Sequence, residues 1–175
     1  YLHGSFSENH LINSWPVSWF FWPIRFVLRE IDLIASKRPD VIVAVSKTIA
    51  QRIGKIYKRN CGVIFPPVSV PKAINGHKIT KKYFLCFSRL VKQKGIDLAV
   101  KTCTKYNLPL LVVGGGTELG YLKSIAGKTV EFYGECSELE KNKIFNHAKA
   151  LIYPSIDEDF GIVPVEAMGW GVPVI

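Results

Sequence analysis

The chain has 175 residues, 23 of them Lys or Arg and 14 Asp or Glu, for a formal charge of +9. Hydrophobic residues make up 48%, too many for a disordered chain and enough for a core, and at roughly 150 residues per domain the length allows one domain or two pieces of domains. The four cysteines (Cys61, Cys86, Cys103, Cys136) form no C-x-x-C pair and the four histidines no H-E-x-x-H, which argues against a disulfide scaffold or a zinc site and for free thiols in a reducing compartment.

In chain order, the first marked segment is Trp15 to Leu28, with three tryptophans, Pro16, Pro23 and Arg25. It is shorter than the ~20 apolar residues of a membrane span. Two readings stand: a membrane-interface or acceptor-side segment, or a loop and helix packed under a partner domain. From Lys37 to Lys94 there are fourteen basic residues against one acid, Asp40. Such a block favours an anionic neighbour such as phosphate or an anionic membrane, or is a solvated lysine-rich surface. No nucleic-acid module accompanies it, so no nucleic-acid partner is expected. Val41 to Val45 reads as a buried strand, Ser46 as an N-cap, and Ile49, Ile53, Ile56 and Tyr57 as one helix face. Val63 to Phe65 is a short strand stopped by Pro66-Pro67, and the proline- and lysine-rich stretch up to residue 82 reads as a linker.

The pattern then becomes regular. Strands are predicted over 83–87, 110–113, 130–133, 150–153 and from 172, and helices over 96–103, 118–126, 137–147 and from about Pro164. Ser137 followed by Glu140 is a capping box. Strand and helix alternate, which predicts an α/β fold with a parallel sheet. The chain opens and closes on residues that read as parts of strands, so a fragment of a longer protein is expected.

The sharpest constellation is D-E-D-F-G-I-V-P-V-E-A-M, residues 157 to 168. Proline is tolerated only in the first turn of a helix, so Pro164 places a helix start at about Gly161 to Pro164, with Glu158 in the loop before it and Glu166 in the first turn. Ligands of open α/β sheets bind beyond the carboxyl ends of the strands. A helix start offers free N–H groups, and a carboxylate accepts from two vicinal hydroxyls at once, so the pair suits a sugar or ribose. Acids near a helix start also simply stabilise its dipole. Arg89 and Lys94 lie in another strand-to-helix loop, S-R-L-V-K-Q-K-G, where they can supply positive charge to a departing phosphate. Gly114-Gly115-Gly116 lacks the G-x-G-x-x-G spacing, since Leu119 stands at the third glycine position, and reads as a plain turn.

S-R-L-V-K-Q-K-G, V-V-G-G-G-T-E-L, V-E-F-Y-G and Y-P-S-I-D-E-D-F-G-I-V-P-V-E-A-M-G-W-G-V-P-V-I together resemble the donor half of the retaining glycosyltransferases of family 4 (group 1). L-R-E-I-D-L-I-A-S-K-R-P-D-V-I-V-A-V-S-K and V-I-F-P-P-V are similar to the segment leading into it, with the flavour of the WbaZ-like mannosyltransferases. The resemblance implies a GT-B architecture of two Rossmann-like domains. Residues 1–66 would be the end of the acceptor domain, 67–82 the linker, and 83–175 an incomplete nucleotide-sugar-binding domain.

It also implies transfer of a hexose, mannose among the candidates, from a GDP- or UDP-linked donor to a glycan or lipid-linked acceptor, with retention. Arg89 and Lys94 would bind the diphosphate and Glu166 the ribose. Glu158 would bind the donor hexose with the backbone N–H groups of Phe160, Gly161 and Ile162. The loop after Gly134 would lie near the base, and His3 beside the transferred sugar. Ser88 stands where the family usually has glycine. No metal or other cofactor is expected, the isolated piece is expected to be inactive and to bind donor weakly if at all, and the location expected is cytoplasmic, peripheral at the membrane. A noncatalytic basic module for a membrane or polyanion, and a nucleotide-sugar epimerase of the same fold, remain as alternatives.

Overall fold

The computed structural model of the chain describes residues 22–69, 81–156 and 158–175. It divides into two compact units, with the boundary between Ile64 and Phe65. In the first, helix α1 (Trp22–Ala35) is followed by strand β1 (Val43–Ala44), helix α2 (Lys47–Tyr57) and strand β2 (Gly62–Val63), which pairs parallel to β1. Ser46 caps α2 as its type predicts, its hydroxyl accepting from Ile49 N at 3.2 Å. Tyr57 donates its hydroxyl to Asp32 at 2.7 Å, joining α2 to α1. The strand expected over Val41 to Val45 shrinks to two residues: Ala44 is buried, but Val41 is 75% exposed. A two-stranded ribbon covers little of either face, so most of these valines stay in reach of water. Part of the basic block also proves structural. Arg59 donates to the carbonyls of Ser36, Pro39 and Asp40 at 2.7, 2.7 and 3.1 Å, holding the turn after α1.

The second unit carries the regular α/β pattern. Strand β3 (Tyr83–Phe87) leads through a 3-10 turn (Lys92–Lys94) to helix α3 (Ile96–Lys105). Strand β4 (Leu110–Val113), helix α4 (Leu119–Ile125), strand β5 (Val130–Gly134), helix α5 (Glu138–His147), strand β6 (Ala148–Leu151) and helix α6 (Ile162–Gly169) follow. The four strands run parallel in the order β5-β4-β3-β6. Strand β6 begins two residues earlier than the apolar run suggests, because Ala148 is buried and pairs with Tyr83. Val174 extends the sheet by pairing parallel to Leu151.

Alternation along the strands divides the interior in two. Cys86, Leu110 and Val112 face one core, with Ile96, Val100 and Cys103 of α3 and Leu122 of α4. Leu85, Leu111 and Val113 face the other, with Ile144 and Phe145 of α5 and Ala167 of α6. Both sheet faces are covered, which is why the strands read as unbroken apolar runs. Burial, with Cys103 nearby, pushes the Cys86 thiol up to about 12, so this cysteine behaves as a core residue. Among the described residues, no helix is long and apolar enough to cross a membrane.

The loops after β3 and β4 meet backbone to backbone. Leu90 N donates to Gly115 O, and Glu118 N to Leu90 O, both at 2.9 Å. A Cβ on Gly114, whose φ is +125°, would lie 2.0 Å from the Ser88 carbonyl oxygen, and one on Gly116 would lie 2.3 Å from that of Leu90. The glycine run is therefore what lets these two loops touch. Gly114→Ala should lower stability by about 3 kcal/mol, through strain at positive φ and overpacking, read as a lower midpoint of urea denaturation. Gly120→Ala, in α4 with nothing within 4 Å of the new methyl group, should raise the midpoint slightly, by up to ~1 kcal/mol of stability.

Candidate functional site

The first cationic loop leaves the carboxyl end of β3. Leu90 turns inward and is buried, while Arg89 before it stays exposed. Its guanidinium makes no hydrogen bond or ion pair with any described residue. The Ser88 hydroxyl donates to the Arg89 carbonyl at 3.1 Å, so this serine is satisfied by its own loop. The next cation is held differently. Gly95 has φ +61°, and a Cβ there would lie 2.9 Å from the Pro154 carbonyl oxygen in the loop after β6. That approach carries Lys94 to Glu158, and the two form an ion pair, with side chains 19% and 31% exposed.

Glu158 is held by a small network. Ser155 donates its hydroxyl to the same carboxylate oxygen at 2.9 Å, and the Tyr153 hydroxyl lies near enough to favour the charged form of this carboxylate. The Lys94 ammonium stands 6.0 Å from the centre of the Tyr153 ring. Burial pushes the Glu158 carboxyl up, but hydrogen bonds from Lys94, Tyr153 and Ser155 outweigh it and hold the group below the usual carboxylate range. Burial, followed by its bond to the Glu158 anion, pushes the Tyr153 phenol well above its ordinary value. Sequence reasoning missed Tyr153 and Ser155. Ser155, three residues before an acid in a loop, carried a weak signal; Tyr153 looked like the end of a strand.

The chain then enters α6 at Gly161, with φ +76°, and Pro164 sits in the first turn as predicted. Glu166 is the fifth residue of the helix and so lies in its second turn, not its first, because the helix starts at Ile162. Ala167 beside it is buried in the core, and Glu166 goes in with it, as the one charged residue in the buried class among the described residues. Its partner was not legible in the sequence: Lys141 of α5 places Nζ 2.6 Å from Glu166 Oε1. The same ammonium stands 3.6 Å from Glu138 and 5.8 Å from the centre of the Phe87 ring, at the end of β3.

Phe160, half-buried, packs its ring on Phe65 at 5.9 Å between centroids. Gly134 closes β5 at φ +85°, with open space where a Cβ would be, and its carbonyl accepts from Gly114 N at 2.7 Å. The structure thus joins Lys94 to Glu158 directly, links Glu166 to the end of β3 through Lys141 and Phe87, and sets Arg89 and Gly134 at strand ends of the same edge. His3 and Asp157 lie outside the described residues. A cleft of about 350 Å³ between α3 and α4, bordered by Val91, Lys92, Asp97, Glu118 and Tyr121, touches neither Glu158 nor Glu166.

The network around Glu158 sets a pH dependence. Its folded carboxyl titrates below the ordinary value of 4.5, so its contribution to stability is present above that value and is lost as pH falls through the lower folded value. Wild type should therefore exceed Glu158→Gln in melting temperature at pH 6–7. The gap should close as the pH falls below about 4.5, as followed by circular dichroism.

Residues 70–175 match the family described as Glycosyl transferases group 1. The O-antigen chain mannosyltransferase RfbU of Salmonella typhimurium is 31% identical over 96% of this chain and 52% of its own length. The alpha-1,3/1,6-mannosyltransferase ALG2 of Debaryomyces hansenii is 27% identical over 86% of this chain and 44% of its own. The chain therefore spans about half the length of these curated relatives. Among solved structures, the pneumococcal O-GlcNAc transferase GtfA in complex with UDP and GlcNAc superposes with a TM-score of 0.67 at 20% identity, covering 82% of this chain and 31% of that one. The parallel α/β architecture is that of GT-B glycosyltransferases, and the chain belongs to the group 1 glycosyltransferase family.

Proposed function

We propose that this chain is the donor-binding part of a retaining glycosyltransferase. It moves a hexose, mannose in our reading, from a nucleotide diphosphate to a hydroxyl of a growing glycan or lipid-linked acceptor. The observation that carries the reading is the Lys94–Glu158 pair: a cation and a carboxylate 64 positions apart meet beside the start of α6, where ligands of open α/β sheets bind. Family membership and the two mannosyltransferase relatives support the choice of reaction and sugar.

In this reading the donor diphosphate lies against Arg89 and Lys94. An ammonium has three N–H donors, so Lys94 can keep Glu158 and still bond a phosphate oxygen. As the bond from the anomeric carbon to the diphosphate breaks, the electron pair leaves on phosphate oxygen, and the two cations offset that charge. The sugar passes through an oxocarbenium-like state while the acceptor oxygen bonds the anomeric carbon on the face the diphosphate leaves, and the acceptor hydroxyl's proton passes to the departing phosphate oxygen. Glu158, steadied by Tyr153 and Ser155, accepts hydrogen bonds from the hexose hydroxyls. The N–H groups of Phe160, Gly161 and Ile162 assist it, since a helix start leaves such donors without intrahelical partners. Glu166 takes the ribose hydroxyls, and the loop after Gly134 borders the base. The charge required is supplied by side chains, without a metal or other cofactor.

Calorimetric titration of the full-length enzyme with GDP and UDP tests the reading. Arg89→Ala and Lys94→Ala should each weaken binding by about tenfold or more, as expected for loss of a charge-assisted hydrogen bond, while Lys55→Ala and Lys58→Ala on the first unit leave it unchanged. The opposite ranking, with binding to anionic vesicles retained, would favour a noncatalytic basic module. Incubation with a panel of nucleotide sugars, with and without acceptors, separates transfer from epimerisation.

A further inference from the structure

We propose that Lys141 is a positioning residue for Glu166: it grips the carboxylate by one oxygen, so that the other is presented to the paired hydroxyls of a ligand ribose. The inference rests on the nucleotide-sugar reading above and adds to it a residue from a different helix.

Lysines on a helix ordinarily leave their ammonium in water. Lys141 does not: its side chain is 14% exposed and Glu166 10%, and their atoms meet at 2.6 Å across 25 positions of sequence. Burying both charges is costly, and an apolar pair of similar volume would fill the same space without that cost. Stability alone therefore gives little reason for the pair. Its geometry gives another. The ammonium is fixed from three sides, by Glu166, by Glu138 at 3.6 Å and by the face of Phe87 at 5.8 Å. Its helix is anchored by the Ser137–Glu140 capping box, in which Ser137 N donates to Glu140 at 2.8 Å and Glu140 N to the Ser137 hydroxyl at 3.3 Å. Glu166 Oε1 is thus taken, while Oε2 accepts no hydrogen bond from a described residue. A carboxylate held at one oxygen by a fixed cation has lost its rotamer freedom before the ligand arrives, which lowers the cost of binding two vicinal hydroxyls at the other.

The test compares GDP and UDP with their 2′,3′-dideoxy counterparts by calorimetry on the full-length enzyme as wild type, Lys141→Met and Lys141→Arg, with circular dichroism to confirm that each is folded. Wild type should prefer the ribonucleotides. Lys141→Met should weaken ribonucleotide binding about tenfold and dideoxynucleotide binding less than about twofold, erasing the preference, and Lys141→Arg should restore most of it. Equal weakening of both ligand types would show a plain charge or folding effect and overturn the proposal, as would a preference that survives in Lys141→Met. A wild type that binds ribo- and dideoxynucleotides alike would overturn the ribose role of Glu166 and this proposal together, while leaving nucleotide binding intact. A wild type that binds neither would overturn the donor-binding reading itself.

Discussion

The approach of Gly95 to Pro154 is the constraint on which the site depends. It brings the loop after β3 within van der Waals reach of the loop after β6, closer than any side chain at that glycine would allow. The hydrogen bond from Ile152 N to Leu85 O carries the β3–β6 pairing up to that point. Everything distinctive about Glu158 follows. The meeting of loops delivers an ammonium to the carboxylate, Ser155 adds a hydrogen bond, and together with the nearby Tyr153 hydroxyl they outweigh the cost of desolvation. Without the close approach, Lys94 would be a surface lysine and Glu158 a loop acid.

The two glutamates, Glu158 and Glu166, with seven residues between them, occupy different physical settings. Glu158 sits in a loop, partly open, held by Ser155 of its own loop and by Lys94, with the Tyr153 hydroxyl nearby. Glu166 sits on a helix and is buried, held by one lysine from a neighbouring helix. A partly exposed carboxylate can exchange partners as a ligand enters. A buried one with a fixed counter-ion keeps a single orientation, and its ion pair is worth less as stabilisation than as alignment. The arrangement thus pairs an adaptable acceptor with a rigid one, which in the proposed reading suits a sugar that reacts and a ribose that only anchors.

Much of the fold could be read from the chain in advance. The apolar runs at 83–87 and 110–113 became strands because both sheet faces are covered, and the Ser137–Glu140 spacing became the capping box it promised. The run at 41–45 misled, since β-branched residues favour a strand but say nothing about how much sheet surrounds them. Glycines 114 to 116 had the look of a simple turn, yet their reason lies in the carbonyls of Ser88 and Leu90, some twenty-five positions earlier.

Local chemistry, by itself, showed which residues carry charge at the strand ends and placed the start of α6 to within one turn, because caps, prolines and alternation act within a few residues of their cause. Which cation meets which carboxylate was decided only by tertiary structure. Lys94 and Glu158 are brought together by adjacent strands of a parallel sheet, and Lys141 and Glu166 by two helices packed on one face of it. Neither pairing has a sequence period, since contacts made across a parallel sheet join segments separated by whole strand–helix units.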